Sequence, residues 1–206
     1  MDRRKALKSI SLSTGLVISS GTFLSLLQSC QEKDAINWIP VFLSKDDAIT
    51  VSEIANIILP KTDLPGAIEM SVPQFIDLLM KDVFSDEQNE KFLSGLRVFN
   101  KQFEKELDSK FNEEGQEDQQ SFVEKLYNLP DSDAQDVLSL VKKKEAPSGQ
   151  EEKYLMYSFL VTVRDLTIKS YFTSEKIGEE VLSYDPVPGR QQGCVPVEEV
   201  GNVWAI

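Results

Sequence analysis

The chain has 206 residues, a formal net charge of −12 and no histidine. That charge repels phosphate backbones and anionic lipid heads, which argues against nucleic-acid binding. The missing histidine removes the commonest general base, the commonest metal ligand and every Ser-His or Cys-His nucleophile arrangement.

At the N-terminus, Arg3-Arg4-Lys5-Ala6-Leu7-Lys8 resembles a twin-arginine export signature. From Ser9 to Leu27 the apolar residues are interrupted by serines, Thr14, Gly15 and Gly21. Such polar content suits twin-arginine export better than a membrane-spanning helix. An ordinary secretory signal with a chance arginine pair is the alternative. Leu26-Leu27-Gln28-Ser29-Cys30 resembles a bacterial lipobox, with Gln28 departing from the usual small or aliphatic residue. Residues 1–29 therefore read as an export signal, Cys30 as the lipidation site and residues 30–43 as a tether. Two or three acyl chains would anchor the chain stably to the periplasmic side of a bacterial membrane or to the cell surface. If Cys30 is acylated, Cys194 has no cysteine left to pair with.

Helical signals fill the rest. Ser44 has the position of an N-cap for Asp47, and Ile49, Val51, Ile54, Ala55, Ile57 and Ile58 follow, with Pro60 stopping the helix at Leu59. Residues 61–67 form a turn, after which Ser71-Val72-Pro73-Gln74 has capping-box spacing and Phe75, Ile76, Leu78, Leu79 and Val83 predict an inner face. The same spacing recurs at Ser85 and Gln88 and opens a stripe of Phe92, Leu96, Phe99, Phe103, Leu107 and Phe111, each three or four residues from the last, on one helical face. Residues 112–115 break the run. Two shorter helices follow over about 117–127 and 131–144, with Lys142, Lys143 and Lys144 placed to favour the negative end of the second. Between Glu151 and Ser170 apolar residues cover more than one face, which predicts a central helix, and Arg164 and Asp165 within it need a partner or the surface. No segment alternates with period two for long enough to demand a sheet. The predicted fold is an all-α, single irregular bundle over residues 44–206.

The last stretch differs in kind. Tyr171-Phe172-Thr173-Ser174-Glu175 precedes a short helical run, and Pro186, Pro188, Gly189, Gly193 and Pro196 then exclude regular helix or inner strand. It predicts a rigid, mostly extended arm lying on its own body or on another protein. Tyr171, Phe172, Tyr184, Pro186, Pro188, Gly189 and Arg190 are the candidate partner interface. Cys194 has no base to activate it, and packing under the arm is its other role. No phosphate loop, strand-borne dinucleotide glycine pattern or cysteine cluster is present, so no catalytic, cofactor-binding or metal-ligating residue is assigned. Abundant acids keep a two-carboxylate hydrolase open as a third reading without singling out any pair.

Ile58-Leu59-Pro60-Lys61-Thr62-Asp63-Leu64-Pro65-Gly66-Ala67 and Val72-Pro73-Gln74-Phe75-Ile76-Asp77 are followed, much later, by Tyr171 to Glu175, Tyr184 to Gly189 and Gly193-Cys194. In that order they resemble the gluconate 2-dehydrogenase subunit 3 family, over roughly residues 45 to 206. Ser170 stands where a glycine is common, and Lys176 is an apparent insertion. The resemblance implies a small, non-catalytic subunit that binds, stabilises and helps export a flavin-dependent dehydrogenase of the glucose-methanol-choline type. FAD is then expected in that large subunit, with a cytochrome c subunit commonly taking the electrons from sugars, polyols or sugar acids. The alternative is a free-standing helical lipoprotein that binds a ligand or glycan.

Overall fold

The phenylalanine stripe and the helix that is apolar on more than one face pack on one another and form the centre of the protein. A computed structural model describes residues 36–185, 187, 189 and 194–205. The helices are α1 (Lys45–Ile58), α2 (Val72–Asp82), α3 (Asp86–Leu107), α4 (Gln116–Tyr127), α5 (Asp131–Val141), α6 (Glu151–Phe172), α7 (Glu175–Glu180) and α8 (Val197–Val200), with a 3-10 turn at Phe111–Glu113. No strand occurs among the described residues, so the fold is all-α as the sequence predicts. None of these helices is long and apolar enough to cross a membrane.

α3 and α6 have 22 residues each and lie against one another, and α6 also packs on α1, α2, α5 and α7. Their crossing is set by Gly95. A Cβ there would stand 2.3 Å from the Leu155 carbonyl oxygen and 2.6 Å from Phe159 Cβ, so only glycine lets the two backbones meet. Around this point the rings lock edge to face. Phe92 meets Phe159 at 5.0 Å between centroids, Phe99 meets Phe111 at 5.1 Å, and Phe103 meets Phe122 at 4.9 Å. Edge-to-face pairs of this kind add about 1 kcal/mol each beyond the area that they bury.

Three buried polar residues tie neighbouring segments together. Gln119 of α4 donates to the Phe111 carbonyl at 2.6 Å, and Asn89 of α3 donates to the Met80 carbonyl at 2.8 Å. Asp77, buried in α2, accepts the backbone N–H groups of Val41, Phe42 and Leu43 at 2.6, 3.1 and 2.7 Å. Three successive amides wrapped on one carboxylate form a small anion nest, here filled by the chain itself. The compact unit accordingly begins at Trp38, inside the stretch expected to be tether.

Several local expectations change. Ser85 and Gln88 form the predicted capping box, and the Ser44 hydroxyl accepts from Asp47 N at 3.2 Å. Ser71 does not cap: its φ is 55°, its side chain makes no cap bond, and a turn closed by Val72 N on the Ala67 carbonyl starts α2 instead. The inner face of α2 is Val72, Pro73, Ile76, Asp77 and Met80. Because Asp77 must face the 41–43 amides, Phe75, Leu78 and Val83 are turned outward, the first two 43% and 46% exposed. α3 stops at Leu107, with Asp108 left-handed at φ 55°, and Phe111 enters the core from the 3-10 turn rather than from the helix. α5 ends at Val141, three residues early, because the chain turns there toward the residue 146–150 loop. Arg164 and Asp165 pair with one another at the surface at 3.0 Å, a contact worth little in water.

Gly95→Ala should strain the α3–α6 contact by roughly 3 kcal/mol against about 1 kcal/mol gained in helix propensity. Urea unfolding should therefore show a net loss of about 2 kcal/mol. Gly178→Ala, whose new Cβ meets only Ala205 Cβ at 3.9 Å, should be neutral or stabilising. Equal effects at the two glycines would mean that the close approach is not what fixes the crossing.

Candidate functional site

The two motif groups that stand far apart in sequence meet in space. α1 ends where Pro60 can no longer donate a helical bond, with Leu59 N on the Ala55 carbonyl as the last contact. The chain then doubles back, and Ala67 N returns to the Leu59 carbonyl at 2.9 Å. Gly66 lies so close under this loop that a Cβ would be 2.6 Å from Lys61 N, which accounts for the glycine without any ligand. Glu69 closes the loop from outside, accepting Gly66 N at 2.8 Å and pairing with Lys61. The Lys61 ammonium, then the Gly66 amide, hold the Glu69 carboxyl below its ordinary value of 4.5, and Lys176 at the start of α7 adds to this.

The hydroxyl of Tyr171, 106 positions from Pro65, donates to the Pro65 carbonyl at 2.8 Å. Tyr171 is only 7% exposed, and burial, followed by the nearby Glu69 charge, pushes its phenol up. Its neighbour Phe172 meets it edge to face at 5.5 Å and is 41% exposed. The aromatic pair thus divides its work. Tyr171 ties the end of α6 to the Pro65-Gly66 loop, while Phe172 stays at the surface, in the same region as the exposed Leu64 beside Pro65.

Past Phe172, Ser174 returns its hydroxyl to the Tyr171 carbonyl at 2.7 Å, and α7 is seated by the fully buried Ile177. Residues on either side of the predicted arm are joined to one another. Ser183 N donates to the Val203 carbonyl at 2.8 Å, Ala205 N to the Ser183 carbonyl at 2.9 Å, and the Ser183 hydroxyl to the Val200 carbonyl at 2.6 Å. Asn202 adds a side-chain bond to the Val181 carbonyl at 2.7 Å. Tyr184, Val187, Gly189, Val203 and Trp204 are exposed. Cys194 is exposed, with φ 59°. Arg3, Arg4, Cys30, Pro186, Pro188 and Arg190 lie outside the described residues.

Asp77, Glu69 and Ser183 carry this arrangement and were not singled out from the sequence for these roles. Asp77 had a visible signal, a lone acid inside the apolar run Phe75 to Leu79. Ser183 had none. Among the described residues no group of three or more His, Cys, Asp or Glu side chains is placed to hold a metal ion.

Residues 45–189 match the family model described as gluconate 2-dehydrogenase subunit 3. The chain belongs to that family. Subunit 3 denotes an accessory subunit of a gluconate dehydrogenase complex. The subunit 3 match contains the Pro65-Gly66 loop, the aromatic pair and Tyr184, and stops short of Gly193 and Cys194. No curated protein and no solved structure matches the chain.

Because the Glu69 carboxyl is held below 4.5 in the fold, what it contributes to stability is complete above that value and is lost as pH falls through the lower, folded value. Lys61→Met removes the largest cause, so an NMR titration of the Glu69 side-chain carboxyl should show its midpoint rise toward 4.5. An unchanged midpoint would mean that Lys61 does not hold it.

Proposed function

We propose that this chain is the small, non-catalytic subunit of a flavin-dependent dehydrogenase complex of the glucose-methanol-choline type, and that it binds, stabilises and helps export the large subunit. The observation that carries this reading is the family match over residues 45–189. The chemistry of the chain agrees with it. A histidine-free sequence lacks the commonest base for removing a hydroxyl proton during oxidation of a sugar, polyol or sugar acid. Burial pushes the phenols of Tyr127, Tyr157 and Tyr171 up, away from the range of a base at neutral pH.

In this reading FAD belongs to the large subunit. A dinucleotide is ordinarily cradled by a glycine-rich turn between a strand and a helix. The described residues of this chain hold no strand to build such a turn. A cytochrome c subunit takes the electrons onward. Arg3 and Arg4 direct folded export, which would allow a flavin-loaded partner without its own signal to travel with this chain, and acylated Cys30 holds the complex at the periplasmic side of the membrane or at the cell surface.

The partner face is assigned to the exposed side chains around the Tyr171–Pro65 hydrogen bond, Phe172 and Leu64, with Tyr184 from the adjoining loop. Tyr171 acts behind this face by fixing its two halves together. Aromatic and aliphatic anchors of this kind carry most of the energy in subunit interfaces.

Mild detergent extraction of membranes should yield the chain with a larger, yellow, flavin-absorbing protein in fixed ratio. Phe172→Ala should weaken retention of that protein roughly tenfold or more while moving the thermal midpoint of the isolated chain little. Recovery of the chain alone, with no flavin absorbance in any stoichiometric partner, would overturn the reading.

A further inference from the structure

Beside the α3–α6 crossing lies a cleft of about 210 Å³, lined by Phe84, Gln88, Lys91, Phe92, Ser158, Phe159 and Thr162. Buried Phe92 and Phe159 make its inner wall, and exposed Gln88 and half-buried Lys91 stand at its rim. It is separate from the Pro65-Gly66 loop and from the face assigned to the partner.

Two of its polar groups have capacity to spare. Most helical hydroxyls here satisfy themselves on the carbonyl four residues back, as Ser52 does on Ala48 at 2.7 Å, Thr162 on Ser158 at 2.7 Å and Ser170 on Leu166 at 2.6 Å. The Ser158 hydroxyl does not. Ser158 is 7% exposed, lines the cleft, and its Oγ has no hydrogen-bond partner. A buried hydroxyl left this way costs free energy until something bonds to it.

Lys91 supplies a positive charge to the cleft lining. In a chain of net charge −12, the ion pairs among the described residues use Lys61, Lys101, Lys110, Lys125 and Arg164, and none uses Lys91. Its ammonium donates to the Tyr154 hydroxyl at 2.7 Å and sits 4.3 Å from the centre of that ring. The hydroxyl in turn donates to the Lys143 carbonyl at 2.9 Å and the Lys144 carbonyl at 3.2 Å, which fixes the lysine from behind. An ammonium has three donors, and this network occupies one. The positive charge is thus held at the rim of an aromatic cleft, and among the described residues no carboxylate forms an ion pair with it.

We propose that this cleft is a binding site for a small monocarboxylate with an apolar body, its carboxylate on Lys91, its body against Phe84, Phe92 and Phe159, and a polar atom within reach of the Ser158 hydroxyl. An apolar cavity of about 150 Å³ accepts benzene. At about 210 Å³ the cleft suits a molecule of benzoate size. Charge and apolar body are both required, because a surface ammonium alone binds small anions only weakly in water. The proposal does not depend on the accessory-subunit reading and is tested without a partner.

Calorimetric titration and amide-shift mapping on the full chain in detergent, with benzoate as the probe, decide it. Benzoate should bind saturably, raise the thermal midpoint and shift the amides of Lys91, Ser158 and Thr162. Benzyl alcohol, which lacks the charge, and acetate, which lacks the body, should each bind at least roughly tenfold more weakly. Lys91→Met should weaken benzoate by roughly tenfold or more. Ser158→Leu, which fills the cleft while leaving Lys91 in place, should abolish the shifts in a chain that still melts cooperatively. No saturable binding, equal responses to benzoate and acetate, or wild-type affinity in Lys91→Met would each overturn the proposal.

Discussion

At Gly95 the backbones of α3 and α6 approach so closely that no side chain fits between them, and the rest of the bundle is arranged around that contact. The approach brings Phe92 and Phe99 of α3 onto Phe159 of α6, at 5.0 and 5.7 Å between centroids. Phe99 and Phe103 are then left to gather Phe111 and Phe122 on the other side. α4 and the 3-10 turn are held to the core by those rings and by the Gln119 bond to the Phe111 carbonyl. Widening the crossing would loosen both sets of contacts together, since close-packed interiors transmit a displacement rather than absorb it.

The same long helix carries the structural consequence to the other end of the protein. α6 runs from the cleft at Ser158 to Tyr171, whose hydroxyl reaches back to Pro65. Two groups of residues that characterise the family are thereby one object. The Pro65-Gly66 loop needs Gly66 for its own closure, Glu69 and Lys61 to brace it, and Tyr171 to fasten it to the bundle. A surface built this way is rigid before any partner arrives, which lowers the ordering cost of association. Phe172 and Leu64 are positioned by that rigid frame and are free of internal duties that would hide them.

Local periodicity made the helices and most of the core legible in the sequence. Phe92, Leu96, Phe99 and Phe103 fall where the spacing puts them, the Ser85–Gln88 box forms, and α6, apolar on more than one face, is central. The failures have a common cause. Phe75 and Leu78 were placed inward by hydrophobicity, but Asp77 turns α2 the other way to serve amides more than 30 positions earlier. Phe111 lay on the right periodic spacing yet reaches the core from a different element, because Asp108 ends the helix first. The Tyr171–Pro65 and Ser183–Val200 bonds are long-range and involve residue types that are common at surfaces, so no local pattern announced them.

The central claim is that the face held together by the Tyr171–Pro65 bond is where this accessory subunit meets a flavin-bearing large subunit. Amide hydrogen exchange, compared between the isolated chain and the chain in its membrane-extracted complex, tests this most directly. Exchange should slow in the complex at Leu64, Gly66, Thr173 and Ser174 and stay unchanged in α5. Protection confined to α4 and α5, with the Leu64 and Thr173 region exchanging at the same rate in both samples, would contradict it.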